Sequence, residues 1–533
     1  MTKTDKTAAP LSSARTSLNR YLLWTLVGCS LLFGYSTISL SQSTQPPFVR
    51  VSGPQTLSFD ELIKLSQTDP PEAKLATRMD QLLHTPFISN QAYLGGAKPI
   101  RPTSQALGPY LRAAFWNIER GIEFEPTRIA LADPGNFGKV IEELKDPEAK
   151  PLTPEEMKTV NEQLVVLKSI DLLVLNEVDK GVSRTDYRDV GRDLAQALNM
   201  NYAFGVEFLE VDPLNLRLEK VEVEDKKVQA DLQKSFDPDP KRYLGLHGTA
   251  VLSRYPIRKA TVQSLPVCHD WYTEEKKEVS QLESGKRAGA NLVFMERIAR
   301  EVRRGGRMAM IVELAVPESP TGAVTVVATH LENKCKPECR RKQMRQILDW
   351  IGPERNPLII AGDMNTTATD SSPTSVSKVL KDRLKDPHAW AKDAVKWSTG
   401  APTILLMPVN MMRSKNDPTG FDVPVLSRNK EAKLFGDLND FHFEDGHTFD
   451  FRGESIRSAE GRGGTLSDSN QRATKGFRYT FAMARTYGGL VGQYKLDWFF
   501  VKGYADDAEK LGGSYKFAPH FARTLQELND APA

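Results

Sequence analysis

Apolar runs that finish in polar residues organise most of this chain. Leu111–Ile118, Leu172–Leu175, Thr249–Ser253, Met308–Val316, Val324–Thr329, Leu358–Ala361 and Trp498–Val501 are rich in Val, Ile, Leu and aromatic residues and read as strands. Between them, Pro154–Ser169, Arg188–Leu198 and Arg340–Trp350 repeat apolar residues at helical spacing. Thr153 is placed as an N-cap, with Pro154 at the first helical position. This pattern starts at about Leu111. Upstream, residues 42–110 are crowded with Pro and turn residues and hold one expected helix, Glu72–Leu83, with Leu75, Met79, Leu82 and Leu83 on one face. That segment reads as a leader packing on a main domain that spans 111–533. Two stretches read as insertions: 207–242, dense in mixed charge, and the loop-like 400–476. No repeat of fixed period is present.

With 40% hydrophobic and 26% charged residues in 533, the composition is that of a globular protein and excludes a mainly disordered chain. The formal net charge of +3 is carried by the first 41 residues, where Lys3, Lys6, Arg15 and Arg20 face Asp5 alone. The rest is balanced, so no global basic field points to nucleic acid. Residues 21–40 (YLLWTLVGCSLLFGYSTISL) carry no charge and follow Arg15 and Arg20. They read as an export segment, either an uncleaved membrane anchor or a signal cleaved after Ser41. The lipobox-like Leu26-Val27-Gly28-Cys29 gives a third, lipoprotein reading. Export puts the body in the periplasm or outside the cell. Four Cys are too few for a disulfide scaffold, but Cys335 and Cys339 have the spacing for an i, i+4 bridge.

The chemistry gathers at strand ends. Asn117 and Glu119 end RAAFWNIE, Glu177 ends DLLVLNE, His330 ends VTVVATH, Asp363 and Asn365 end LIIAGDMN, and Asp497 opens DWFFV. Side chains converge at such ends in α/β sheets. Carboxylates with an Asn are hard oxygen donors suited to Mg²⁺ or Mn²⁺, and a His beside them can donate to a phosphate or exchange a proton. Singly, a strand-terminal Asp or Asn is more often a turn former. Their order along the chain is the specific signal.

WNIE, LNEVD, HGTAVLSRYPI, ATHLE, GDMN and LDWFFV, in this order over about residues 111–503, resemble the endonuclease/exonuclease/phosphatase superfamily, the deoxyribonuclease I-like fold. The resemblance implies a four-layer α/β sandwich, with two packed mixed β-sheets and helices outside. It implies Mg²⁺- or Mn²⁺-dependent hydrolysis of a phosphodiester or phosphomonoester by in-line attack of water. The substrate could be nucleic acid, phospholipid or sugar phosphate. Glu177 would be the principal metal ligand, Asn117 would support the metal or a phosphate oxygen, and Glu119 would ligate the metal or stand behind a ligand. His330 would stabilise the phosphate, Asp363 and Asn365 would orient water and phosphate, and Asp497 would ligate metal or hold a histidine. Thr249 stands where family members often carry Asn.

One departure matters. The family's final Ser-Asp-His strand has no counterpart after Asp497, where His520 is the sole histidine. Truncation of the last strand is the favoured expectation, with His520 as a substitute base the other. A non-catalytic member that binds a phosphorylated ligand is the alternative function, and a membrane-tethered structural protein a weaker one. Arg184 and Arg188 either contact phosphate or are solvated. Arg303-Arg304 and Arg340-Arg341 read as surface charge. Cys268-His269-Asp270 is disfavoured as a nucleophile set, because neighbours on an extended strand face opposite ways.

Overall fold

A computed structural model of the chain describes residues 48–104, 108–143, 152–213, 238–276, 301–366 and 431–449, short pieces between 472 and 502, and residues 525 and 528. Two mixed sheets form its centre. In chain order the main strands are β1 (Val51–Ser52), β2 (Phe87–Ser89), β3 (Ala113–Arg120), β4 (Leu172–Lys180), β5 (Asn201–Glu210), β6 (Leu246–Ser253), β7 (Ile257–Ser264), β8 (Arg303–Gly305), β9 (Met308–Ala315), β10 (Ala323–His330), β11 (Leu358–Asp363) and β12 (Asp497–Val501). The first sheet runs β1-β2-β5-β6-β4-β3, with β8 added to β5, and the second runs β12-β11-β10-β9-β7. Each sheet has one parallel pair, β3 with β4 and β10 with β11, in an otherwise antiparallel ladder.

The helices are α1 (Phe59–Gln67), α2 (Ala73–His84), α3 (Phe124–Ala132), α4 (Pro154–Lys168), α5 (Val190–Ala197), α6 (Pro337–Ile351) and α7 (Ala432–Asn439), besides shorter turns. The α4 start is fixed as its sequence demands: the Thr153 hydroxyl accepts from Glu156 N–H, and the Glu156 carboxylate accepts from Thr153 N–H at 2.7 Å.

Alternation along the strands divides the core into layers. Leu173 and Leu175 of β4 pack with Val160 and Leu164 of α4 and Leu194 of α5. Their neighbours Leu172 and Val174 point the other way, into a core shared with Val312, Val326, Ala328 and Ala361 of the second sheet. Leu358 and Ile360 of β11 meet Met344, Ile347 and Leu348 of α6 and Phe435 of α7 on the outer side. Two sheets therefore pack face to face with helices outside, an α/β sandwich.

Several expectations are corrected. The segment 42–110 contributes β1 and β2 to the first sheet and buries Leu57, Leu62, Leu65, Leu75 and Leu82, so it is built into the domain. Strand β5 had no counterpart in the apolar pattern, because Glu207 and Glu210 interrupt it; both are fully buried against arginines. The expected insertion at 207–242 thus begins inside a core strand, and its residues 214–237 lie outside the described residues. Within 400–476, the described part holds α7, with Leu434, Phe435 and Leu438 in the core, rather than loop alone. Arg303 and Arg340 are not surface charge: both are buried, Arg303 against Glu210 at 2.7 Å and Arg340 against Glu431 at 3.0 Å. Cys339 bridges Cys268, 71 residues away, and Cys335 is a free buried thiol. Cys268 is therefore no nucleophile. Residues 21–40 and His520 lie outside the described residues; among those described, no helix is long and apolar enough to cross a membrane.

Candidate active site

Parallel pairing sets the C-terminal ends of β3 and β4 side by side, and those of β10 and β11 likewise. β12 is antiparallel to β11, so its first residue, Asp497, falls opposite Asp363. All the strand-end residues singled out in the sequence thereby reach one rim of the sandwich.

Two bulges aim the side chains. The β3–β4 register shifts between Asn117 and Arg120, and the β4–β6 register shifts between Leu175 and Val178. At these bulges Glu119, Arg120 and Glu177 take positive φ values of 47°, 65° and 52°. A left-handed non-glycine residue costs about 1–2 kcal/mol, and such strain concentrates at functional sites. Gly362 has a separate reason for its place: a Cβ there would lie 1.9 Å from the Thr329 carbonyl oxygen. Only glycine lets β11 approach β10 closely enough to set Asp363 beside His330.

Asn117 joins the two sheets. Its Nδ2 donates to Glu177 Oε1 and to Asp363 Oδ2, each at 3.2 Å. Its Oδ1 accepts from Glu119 N–H at 3.2 Å. Glu119 is exposed and fixes Asn117 through its backbone. Asp363 Oδ1 accepts from Asn365 N–H at 2.8 Å, and Asn365 Nδ2 donates to the Leu331 carbonyl at 2.9 Å. The Asn365 amide nitrogen is thus engaged in holding the chain after β10. The Nε2 of His330 lies 3.7 Å from Asp363 Oδ2. Asp497 is half-buried beside them, and its N–H donates to Thr480 Oγ1 at 3.1 Å.

Charge is distributed unequally over this group. Burial pushes the Glu177 carboxyl up, but Arg120, then His247, the Asn117 amide and Arg307 outweigh it and hold it below the usual range. Burial, and next to it repulsion from Glu177, pushes Asp363 up to about 6. Burial, reinforced by Arg307, holds His330 well below the usual imidazole range. The site at neutral pH is an ionised Glu177, a weakly acidic Asp363 and a neutral His330. Unequal neighbouring acids of this kind are a mark of acid–base sites.

A buried ion network supports the rim. Arg184 holds Asp179 with Nε at 2.6 Å and Nη2 at 2.9 Å, and also reaches Glu210 and Glu301. Despite burial, Arg184 and His247 bring Asp179 down to about 2. Arg120 donates to Glu301 at 3.1 Å. Arg184 therefore serves this network and is not a solvated helix charge, and Arg188 lies over the Phe124 ring and 3.6 Å from Glu125.

Sequence reasoning missed Asn176, Glu207, Arg307 and Glu332. Asn176 Oδ1 accepts from Asp363 N–H at 2.9 Å, and its Nδ2 donates to Thr249 Oγ1 at 2.8 Å. Thr249 in turn donates to Glu207. Arg307 lies between Glu207 and His330, with Glu332 3.6 Å from its Nε. The available signal was a lone charge inside an apolar strand, Val206-Glu207-Phe208, and an Arg just before another.

The donor set fits a hard divalent cation through the ionised Glu177 carboxylate; the Asn117 carboxamide beside it adds an oxygen once the amide is turned, because its Nδ2 faces Glu177 and its Oδ1 accepts from Glu119. Among the described residues no three Asp, Glu, His or Cys cluster to hold an ion by themselves. Mg²⁺ typically takes one or two carboxylates and completes its shell with water and substrate phosphate.

Fold and rim together are those of an α/β sandwich with converging polar strand ends, and the sequence supplies the family. The profile of the Endonuclease/Exonuclease/phosphatase family matches residues 114–505, and the chain belongs to that family. No curated protein matches it. Among solved structures it is similar to an endonuclease/exonuclease/phosphatase from Beutenbergia cavernae, at 21% identity over 52% of this chain and 54% of that one, TM-score 0.24. The chain thus spans about half the length of that protein. It is also similar to the human Nocturnin catalytic domain, solved with a bound sulfate anion, at 11% identity over 67% of this chain and 78% of that one, TM-score 0.27. A beta toxin from Staphylococcus aureus matches at 10% identity over 73% and 85% of the two chains, TM-score 0.25.

Proposed function

We propose that this protein is a divalent-metal-dependent phosphoric ester hydrolase. The observation that carries the reading is the cross-sheet contact of Asn117 with both Glu177 and Asp363, beside a neutral His330. A resident Mg²⁺ or Mn²⁺ would neutralise charge on the phosphoryl oxygens and the leaving oxygen. Glu177 and Asn117 are the residues to hold it. Asp363 Oδ1 is fixed by the Asn365 N–H, and Oδ2, which accepts from Asn117, keeps a second lone pair that would orient the attacking water. A phosphorus–oxygen bond forms to that water as the bond to the leaving oxygen breaks. The water's proton passes to a nearby base, and the leaving oxygen takes up a proton as it departs. A preorganised donor such as His330 Nε2 would stabilise charge where it develops.

The Cys268–Cys339 bridge supports export to an oxidising compartment, since disulfides are rare in reducing ones. The test is a panel of phosphodiester and phosphomonoester substrates, including a nucleic acid, a sphingolipid and a sugar phosphate, with Mg²⁺, with Mn²⁺ and with chelator. Metal-dependent release of phosphate or alcohol from one class is the expected result. Binding without turnover across the panel would instead favour a non-catalytic phosphoester-binding protein.

A further inference from the structure

The buried groups behind the rim form a chain of hydrogen bonds that runs from Asp363 to His330, whose far nitrogen faces Asp363 again. Asp363 N–H donates to Asn176 Oδ1 at 2.9 Å, and Asn176 Nδ2 donates to Thr249 Oγ1 at 2.8 Å. The Thr249 hydroxyl donates to Glu207 Oε1 at 2.5 Å, and Arg307 Nη1 donates to Glu207 Oε2 at 2.9 Å. The same Nη1 lies 2.8 Å from His330 Nδ1, and His330 Nε2 faces Asp363 Oδ2 at 3.7 Å. Every member is buried, with Asn176, Thr249 and Glu207 at 0% exposure.

The direction of each bond in this chain is forced. A backbone N–H can only donate, so the Asn176 oxygen faces Asp363 and its NH₂ faces Thr249. The Thr249 oxygen already accepts, so its hydrogen goes to Glu207. A guanidinium has five N–H donors, no acceptor, and does not lose its proton in proteins. Arg307 Nη1 has two hydrogens; one meets Glu207 and the other meets His330 Nδ1. That nitrogen must therefore present its lone pair, and the ring proton must sit on Nε2. An imidazolium would set N–H against N–H in a buried place.

We propose that Arg307 is a positioning residue that locks His330 as the neutral Nε2–H tautomer, a permanent hydrogen-bond donor toward the Asp363 side of the site and not a proton carrier. This rests on the hydrolase reading for its purpose, but not for its geometry. The charged and titratable groups facing His330 are Arg307, Arg303, His247 and Asp363, and the three basic ones all disfavour a second proton on it. Glu207 and Glu332 neutralise Arg307 from the far side, and Glu332 is itself held by Trp271 Nε1 at 3.0 Å. Any proton given to the leaving group would then have to come from elsewhere, such as water.

The test is ¹⁵N spectroscopy of the histidine rings in the full chain, without substrate or metal. The His330 signals are assigned by their loss in His330→Gln, or in His330→Asn if the first does not fold. The expected result is one unprotonated Nδ1 and one protonated Nε2, unchanged from about pH 8 to about pH 5.5, a range that brackets the ordinary imidazole pKa of about 6.5. Arg307→Lys, which keeps a cationic donor, should preserve the pattern. Arg307→Met should release it, so that Nδ1 takes up a proton within that range. An Nδ1–H tautomer or an imidazolium in the parent chain overturns the proposal, as does an unchanged spectrum in a folded Arg307→Met. Because the spectrum needs no turnover, a failed tautomer leaves the hydrolase reading standing, and a failed substrate panel leaves the tautomer standing.

Discussion

Replacing Glu177 by Gln should separate metal binding from stability. The change is isosteric and removes one charge at a position held in the left-handed region, at φ 52°, which Gln tolerates as well as Glu. Two electrostatic effects then oppose each other. Glu177 sits below the usual carboxylate range, because Arg120, His247, Asn117 and Arg307 outweigh its burial, so losing its charge removes favourable interactions. Asp363 is pushed up to about 6 from 3.8, chiefly by burial and next by Glu177, so losing that charge also relieves a repulsion. A shift of about two units bounds the whole Asp363 penalty near 3 kcal/mol, and the repulsive share is the smaller part. The two effects are opposite in sign, and the net change in unfolding free energy should stay within about 1 kcal/mol. Metal affinity has no such compensation. Mg²⁺ binding should weaken at least about tenfold, the scale of 1.4 kcal/mol, on loss of its one strongly ionised ligand. Urea unfolding and calorimetric Mg²⁺ titration of parent and variant decide the matter. Equal Mg²⁺ affinity would remove Glu177 from the metal site, and a stability loss above about 3 kcal/mol would make it a structural residue instead.

Other substitutions test the frame. Gly362→Ala should cost about 1–3 kcal/mol or more in urea unfolding, since the new Cβ meets the Thr329 carbonyl and must push β10 from β11; a change under about 0.5 kcal/mol would contradict the close approach. Arg340→Met removes the guanidinium that faces Glu431 in the core between α6 and α7 and should cost about 3–5 kcal/mol, measured the same way, with a near-neutral result arguing against a buried pair. Cys335 is pushed up to about 11 by burial, so at neutral pH it is a protonated, shielded thiol. Mass spectrometry after alkylation should label it only on denaturation, and Cys268 and Cys339 only after reduction. Replacing both bridged cysteines by Ala should cost up to roughly 4 kcal/mol in the chain-entropy estimate for a loop closed over 71 residues, and unchanged unfolding would refute the bridge.

The sequence by itself determined seven of the main strands and the strand-end residues of the rim. Apolar runs with polar ends marked β3, β4, β6, β9, β10, β11 and β12, because a strand buried on both faces must be apolar until it reaches solvent or a ligand. The same boundary condition exposed Asn117, Glu177, His330, Asp363 and Asn365. Thr153 and Pro154 fixed the start of α4 locally, through bonds that span three residues. Tertiary structure alone decided everything that joins distant parts of the chain. The partner of Cys339 lay 71 residues away, while Cys335 at four residues was the nearer choice by spacing. Glu207 and Glu210 hid a core strand, because a buried carboxylate looks like surface until its arginine is known: Arg303 stands opposite Glu210 on β8, and Arg307 lies just before β9, both about 90 to 100 residues further along the chain. Asn176 looked like a neighbour of Glu177, yet it is the link between Asp363 and Thr249 across the two sheets. Hydrogen-bond direction, and with it the tautomer of His330, depends on a bonded chain of six residues drawn from separate segments. Periodicity reports which residues leave water; it carries no term for which of them meet.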